Sequence, residues 1–129
     1  MKTSRIFKTS TGTGKHRVDL TVTLVGHDLV AALSGGDRPH VGAVAVAVPR
    51  PSLKDAGKLS STSSVITLVA HKDGEVARMA AEALARKHNS VAVVSAGMHI
   101  ESASEEDIRK LVRNAKAAIE KAIKFKLTD

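Results

Sequence analysis

The spacing of the hydrophobic residues changes along this chain, and this change constrains the fold more than any other feature. From Arg17 to Val25 every second residue is apolar, which is the period of a β-strand with one buried face. From Asp73 to Asn89, and again from Ser104 to Lys126, apolar residues recur at i, i+3 and i+4, as in an amphipathic helix. The chain therefore combines strands and helices, and most of its strands precede the first helix.

Six segments are predicted to be strands because they are short, apolar or alternating, and separated by turn residues. They are Ser4 to Ser10, Arg17 to Val25, Leu29 to Leu33, Val41 to Val48, Thr62 to Ala70, and Val91 to Val94 with its continuation to Ile100. The order of elements predicts a single α+β domain over residues 1–129. Its core is a mostly antiparallel sheet of about six strands with two helices packed on it.

Three local features refine this prediction. Val41 to Val48 alternates large and small apolar residues, which indicates a strand covered on both faces, with the small residues on the crowded one. Pro49 and Pro51 are expected to end that strand. Asp73 is a plausible N-cap of the first long helix, and Ser104 with Asp107 resembles a capping box at the start of the second.

Composition narrows the possible functions. The chain has no cysteine, which excludes disulfides and thiolate metal sites, and its only aromatic residues are Phe7 and Phe125, which argues against base stacking on nucleic acid. No apolar run approaches the ~18 residues of a membrane span, and the N-terminus does not resemble a signal peptide, so a cytoplasmic protein is expected. The net charge of +7 favours anionic partners without choosing among them.

The sequence contains no complete catalytic or metal-binding motif. Thr11 to Lys15 is rich in glycine, but a strand rather than a helix follows it, so it does not fit a phosphate loop. The six histidines lack metal-ligand spacing. A general base at His40 or His99 stays open as an alternative, yet nothing in the sequence requires it, and we predict a protein without catalytic residues.

Polar residues beside the apolar strands are the candidates for holding an anionic ligand. Glycine lets a ligand approach the backbone, hydroxyl groups and amides form hydrogen bonds, and arginine or lysine pairs with phosphate. Each group can also be an ordinary loop, so both interpretations stay open. The candidate residues are Gly35, Gly36, Asp37, His40, Arg50, Ser52, Ser61, Ser63, Ser64, His71, Lys72 and His99. If the loops that carry them lie at one rim of the sheet, they can surround a single negative group.

Four stretches together resemble a known family, and they span about Val18 to Arg113. They are Gly35 to Ala45, Pro49 to Leu53, Ser61 to Val65 followed by His71-Lys72-Asp73, and Ala96 to Ile100. They are similar to the LpdD-like proteins encoded beside UbiD-type decarboxylases, a family described as prenylated-flavin chaperones with a fold like that of small proteasome assembly chaperones.

The resemblance implies a non-catalytic protein that binds prenylated FMN, or FMN, and hands it to an apo-decarboxylase of the UbiD type. It also implies a homodimer, and it gives no role to nucleic acid or to a membrane. The alternative is a protein-interaction or assembly module that has no small-molecule ligand.

Overall fold

The computed structural model of the chain describes residues 5–68 and 71–126, apart from the side chain of His71. Within these residues there are six strands, a 3-10 turn at Gly14–His16 and two long helices. The strands are β1 (Ile6–Thr11), β2 (Val18–Val25), β3 (Asp28–Gly36), β4 (Ala43–Pro51), β5 (Leu59–Thr67) and β6 (Ala92–His99), and the helices are α1 (His71–His88) and α2 (Glu105–Lys124). Ser4 and the segment 69–70, which belong to two predicted strands, lie outside the described residues.

The six strands form one sheet in the order β1-β2-β3-β6-β4-β5. Neighbouring strands are antiparallel, except that β3 and β6 run parallel. Helix α1 packs on β4, β5 and β6, while α2 packs on β1 and β2 and against α1. The predicted α+β class, with two helices on a mostly antiparallel sheet, is confirmed.

The core lies between the sheet and the two helices, and it is aliphatic. Leu20, Leu33 and Val94 point into it from three adjacent strands and are almost fully buried. The alanines of β4 meet those of α1 there, so the helix can lie close to the sheet. The predicted crowded face of β4 is therefore confirmed by Ala43, Ala45 and Ala47. The prediction that the other face of β4 is also covered is wrong, because both helices lie on the same side of the sheet and Val46 is 38% exposed.

The two prolines of β4 do not end the strand, which corrects the sequence prediction. The strand continues through Pro49, Arg50 and Pro51, where it pairs with β5 alone because its pairing with β6 ends at Ala47. A proline without a backbone N–H is tolerated at such a free edge. As a result the β4–β5 hairpin extends beyond the rest of the sheet.

The helix starts differ in how well the sequence predicts them. Helix α2 has the expected capping box, in which Ser104 and Asp107 each accept a hydrogen bond from the other's backbone N–H. The prediction of Asp73 as an N-cap is wrong, because α1 already begins at His71. The Asp73 carboxylate lies in the first turn and contacts β6 instead.

Candidate functional site

A tightly packed rim forms where β3 and β6 end and β4 begins. We call it the glycine end, defined by Gly36, Gly42 and Gly97. The segment 37–42 crosses the end of β6 there, held by backbone hydrogen bonds. The amides of residues 37 and 38 both donate to the His99 carbonyl, at 2.7 and 3.2 Å, and the Gly42 amide donates to the Ala96 carbonyl at 2.9 Å.

Glycine is required at this rim because backbone meets backbone. A Cβ atom on Gly97 would lie 1.7 Å from the carbonyl oxygen of His40. Gly36 has a φ of +82°, and its Cβ would lie 2.2 Å from the His99 carbonyl oxygen. A Cβ on Gly42 would meet the Asp73 carboxylate at 2.1 Å. The three glycines therefore let one polar segment and one helix start close over the end of β6.

A buried carboxylate and a half-buried histidine lie at the centre of the glycine end. The Asp73 side chain is only 2% exposed. Its Oδ1 accepts a hydrogen bond from the Met98 amide at 3.1 Å, and its Oδ2 lies 3.3 Å from Nε2 of His40. Burial raises the pKa of Asp73, while the Met98 amide and the nearby His40 and His99 partly offset that rise.

The contacts of His40 indicate the position of one of its ring protons. Nδ1 is 3.1 Å from the Arg38 carbonyl oxygen, which can only accept, so we assign a proton to Nδ1. Nε2 then faces Asp73, and that contact is attractive only if a proton lies between the two side chains. The pair is either an imidazolium beside a carboxylate or a neutral imidazole beside a protonated carboxyl group. In both cases the ring is held in one orientation, with a third of it exposed.

Charged side chains surround this pair on the solvent side. Glu101 forms ion pairs with Arg38 at 2.7 Å and with His99 at 3.2 Å. The hydrogen bond from His99, and then that from Arg38, lower the pKa of Glu101. Asp37 accepts a hydrogen bond from the Glu101 amide at 3.4 Å. The rim thus offers exposed donors and acceptors around a fixed histidine.

The glycine end brings together about half of the predicted ligand-binding residues. Gly36, Asp37, His40 and His99 meet within it, and Gly35 is buried beside it at the end of β3. Two more predicted residues begin α1 there. They are His71, whose side chain is outside the described structure, and Lys72, which is exposed and lies 3.6 Å from Glu75.

The structure places the other predicted residues toward the opposite end of the sheet. Arg50 is seven residues after Ala43 in β4, a distance of roughly 23 Å along an extended strand. Arg50 donates to the Thr62 hydroxyl at 2.7 Å, and the Ser52 hydroxyl accepts from two amides of the β4–β5 turn.

The serines of β5 divide between the two faces of the sheet. Ser61 and Ser63 lie on the helix face, where Ser63 donates to Glu82 at 2.6 Å, and Ser64 lies on the other face. The Ser61 hydroxyl is buried without a hydrogen-bond partner in the described structure. A single chain therefore does not collect Arg50 and these serines around the same point as His40.

The sheet face opposite the helices is open and mostly uncharged. We call it the open face. Across β3, β6, β4 and β5 it carries valine, alanine, serine, threonine and isoleucine side chains, namely Val30, Ala32, Ser34, Val93, Ser95, Val44, Val46, Val48, Thr62, Ser64 and Ile66. Val48 and Ile66 are 49% and 67% exposed. The charged side chains Lys8, Asp19 and Arg50 lie toward its borders.

The described part of the chain contains neither a metal-binding cluster nor a helix that could cross a membrane. In residues 5–68 and 71–126, no three histidine, aspartate or glutamate side chains are arranged to hold a metal ion. None of the described helices is both long enough and apolar enough to cross a membrane.

His40 and His99 were predicted from the sequence, but Asp73 was not recognised as the partner of His40. Aspartate near a helix start usually indicates a cap, which hid the contact with β6. The sequence feature that could have indicated this contact is glycine at positions 42 and 97, within or beside apolar strands. Such glycines often mark a place where a side chain or another part of the backbone approaches closely.

Comparison with known proteins gives one family and one fold. The family model described as the prenylated flavin chaperone LpdD-like domain matches residues 12–126. A chain of a solved chaperone complex for yeast 20S proteasome assembly has a similar structure, with a TM-score of 0.57 and 15% sequence identity over 92% of this chain and 93% of that chain. At that identity the likeness shows the fold alone. No curated protein matches the sequence.

Proposed function

Because this chain belongs to the family of prenylated flavin chaperone LpdD-like domains, we propose that it binds prenylated FMN and delivers it to a UbiD-type decarboxylase, without catalysing a reaction. In this proposal residues 1–129 act as one domain, and the glycine end is the part that contacts the flavin. The predicted residues there are Gly35, Gly36, Asp37, His40, His71, Lys72 and His99.

The buried pair of Asp73 and His40 is the observation that best supports a ligand site at the glycine end. Burying a carboxylate costs stability, and the raised pKa of Asp73 reflects that cost. A strand end can pack well without a buried carboxylate. Proteins usually accept such a cost in stability at functional sites. The pair presents an oriented imidazole to solvent beside exposed backbone and charged side chains. A flavin ring system, which carries both hydrogen-bond donors and acceptors, suits such a rim.

The test is co-expression with a flavin prenyltransferase, followed by an absorbance spectrum and the mass of the bound molecule. We expect the wild-type protein to carry prenylated FMN. In a binding titration the His40→Ala variant should bind it up to about tenfold more weakly, the effect of losing one hydrogen bond.

The matched control is His27→Ala, since His27 is exposed in the β2–β3 turn, away from the glycine end. Its affinity should equal that of the wild type. A wild-type protein that carries no flavin and binds none would refute the proposed function.

The second candidate function, protein assembly without a small molecule, would then account for the open face. It requires a stable complex with a partner in flavin-depleted extract.

We also propose that the protein is a homodimer joined through its open faces. Six strands spaced by about 4.8 Å and about eight residues long give a surface of roughly 760 Å². A standard interface buries about 800 Å² on each partner. The centre of the face carries no charge in the described structure, so two copies can meet there without placing like charges directly against each other.

Val46 lies in the uncharged part of the open face, between β6 and β5, so Val46→Asp should convert the dimer to a monomer. An unpaired carboxylate at the centre of an apolar interface costs several kcal/mol, equivalent to more than a hundredfold in dimer affinity. Light scattering after size-exclusion chromatography would measure the mass. Val25→Asp, at the end of the β2–β3 hairpin, places the same charge outside the centre and should remain dimeric. A monomeric wild-type protein would exclude the dimer.

A further inference from the structure

A groove with a volume of about 580 Å³ lies between the first turn of α1 and the N-terminal half of α2. Half-buried Ile108 and Val112 give it an apolar lining. Its remaining lining residues are charged, namely Lys72, Glu106, Arg109, Lys110, Arg113 and Lys116. Five cations and one carboxylate therefore line a groove that is otherwise apolar.

Most of this positive charge is not neutralised within the chain. Glu106 is already engaged by Arg109 at 2.6 Å. In the described structure no carboxylate oxygen lies within 4.0 Å of the side-chain nitrogens of Lys110, Arg113 or Lys116. The groove therefore carries a local excess of positive charge that an anion would neutralise.

The spacing of these cations is unfavourable for the helix itself. Lys110, Arg113 and Lys116 follow one another at i, i+3 and i+6, so each is a surface neighbour of the next. Like charges at this spacing destabilise a helix by a few tenths of a kcal/mol per pair. An anion bound between them would turn this repulsion into attraction. Glu106 and Glu120, each four residues from one of the lysines, offset part of this repulsion, so the three cations together add little to helix stability.

We propose that this groove binds the phosphate group of the flavin cargo through Arg113, Lys116 and Lys110. The inference rests on the proposed function and names the part of the site that recognises the phosphate monoester. A guanidinium can hold two phosphate oxygens, and the two lysines add charge. The volume lies within the range of ligand sites, and the apolar lining accommodates the carbon skeleton.

The groove and the glycine end share the first turn of α1. Lys72 lines the groove, and the next residue, Asp73, forms the buried pair with His40. One helical turn thus joins the cationic groove to the hydrogen-bonding rim. A ligand with a phosphate at one end and a polar ring system at the other can use both.

The test compares two ligands, prenylated FMN and the same molecule without its phosphate, by anaerobic titration. The double variant Arg113→Gln/Lys116→Gln removes two cations from the groove and leaves exposed residues of good helix propensity. It should bind prenylated FMN about 20- to 100-fold more weakly, as expected for the loss of charge-assisted hydrogen bonds. Its affinity for the phosphate-free ligand should equal that of the wild type.

The control is Lys87→Gln/Lys124→Gln, which removes the same charge from exposed positions of the same two helices outside the groove. Its affinities should stay within about twofold of the wild type, since these changes alter only the distant field of the protein. Unchanged binding in the groove variant would overturn the inference and leave the proposed function standing. Equal losses for both ligands would also overturn it. A wild-type protein that binds neither ligand would refute both proposals.

Discussion

The Gly97→Ala variant should lose about 3–5 kcal/mol of its free energy of unfolding, an unusually large effect for the addition of one methyl group. The new Cβ would lie 1.7 Å from the His40 carbonyl oxygen and 3.0 Å from the Gly42 amide nitrogen. Both are backbone atoms, so no side-chain rotation can relieve the overlap. The segment 37–42 would have to lift off β6 and lose its hydrogen bonds to the strand. Urea unfolding followed by circular dichroism measures the loss.

Gly57→Ala is the matched control for this prediction. Gly57 lies in the β4–β5 turn, has an ordinary φ, and its added Cβ would approach nothing closer than the Asp55 carboxylate at 3.4 Å. Its stability should change by no more than about 0.5 kcal/mol, as for most exposed positions. A Gly97→Ala protein as stable as this control would mean that the segment 37–42 does not pack on β6 as described.

The elements of this fold were predictable because each is encoded locally. The alternation from Val18 to Leu24 requires one buried face whatever lies beside the strand, and the capping box at Ser104 involves residues only three apart. The order of the strands was not predictable in this way. β6 inserts between β3 and β4, and one hydrophobic period cannot indicate which distant strand will be its neighbour.

The same limit applies to the candidate site. His40 and His99 were expected near one rim because each flanks an apolar strand, and the parallel pairing of β3 with β6 brings them together. Arg50 follows the apolar part of β4 in the same way, yet it lies at the far end because β4 runs antiparallel to β6. A sequence shows that a residue ends a strand, but strand direction decides which end that is.

The second large effect is expected at Asp73. The Asp73→Ala variant should lose about 2–3 kcal/mol of its free energy of unfolding, because the Met98 amide loses its acceptor and the His40 ring loses its partner. The Asp73→Asn variant should be at least as stable as the wild type at neutral pH. Its amide oxygen can accept from Met98 and its NH₂ group can donate to Nε2 of His40, and no charge is buried.

The pH dependence of the stability separates the effect of the Asp73 charge from the effect of its hydrogen bonds. Because the pKa of Asp73 is higher in the folded protein than in the unfolded chain, folding favours the protonated form. As the pH rises from about 4, the ordinary pKa of aspartate, to the raised pKa of Asp73, the wild type should therefore lose stability relative to Asp73→Asn. Above the raised pKa the difference in stability between the two proteins should stay constant. The Met98 amide, and then His40 and His99, partly offset the rise in the pKa of Asp73 and so reduce this loss. Parallel stability profiles of the two proteins between pH 4 and neutrality would show that the fold does not favour the protonated carboxyl group. The buried pair would then carry no cost, and the strongest reason for placing a ligand at the glycine end would disappear.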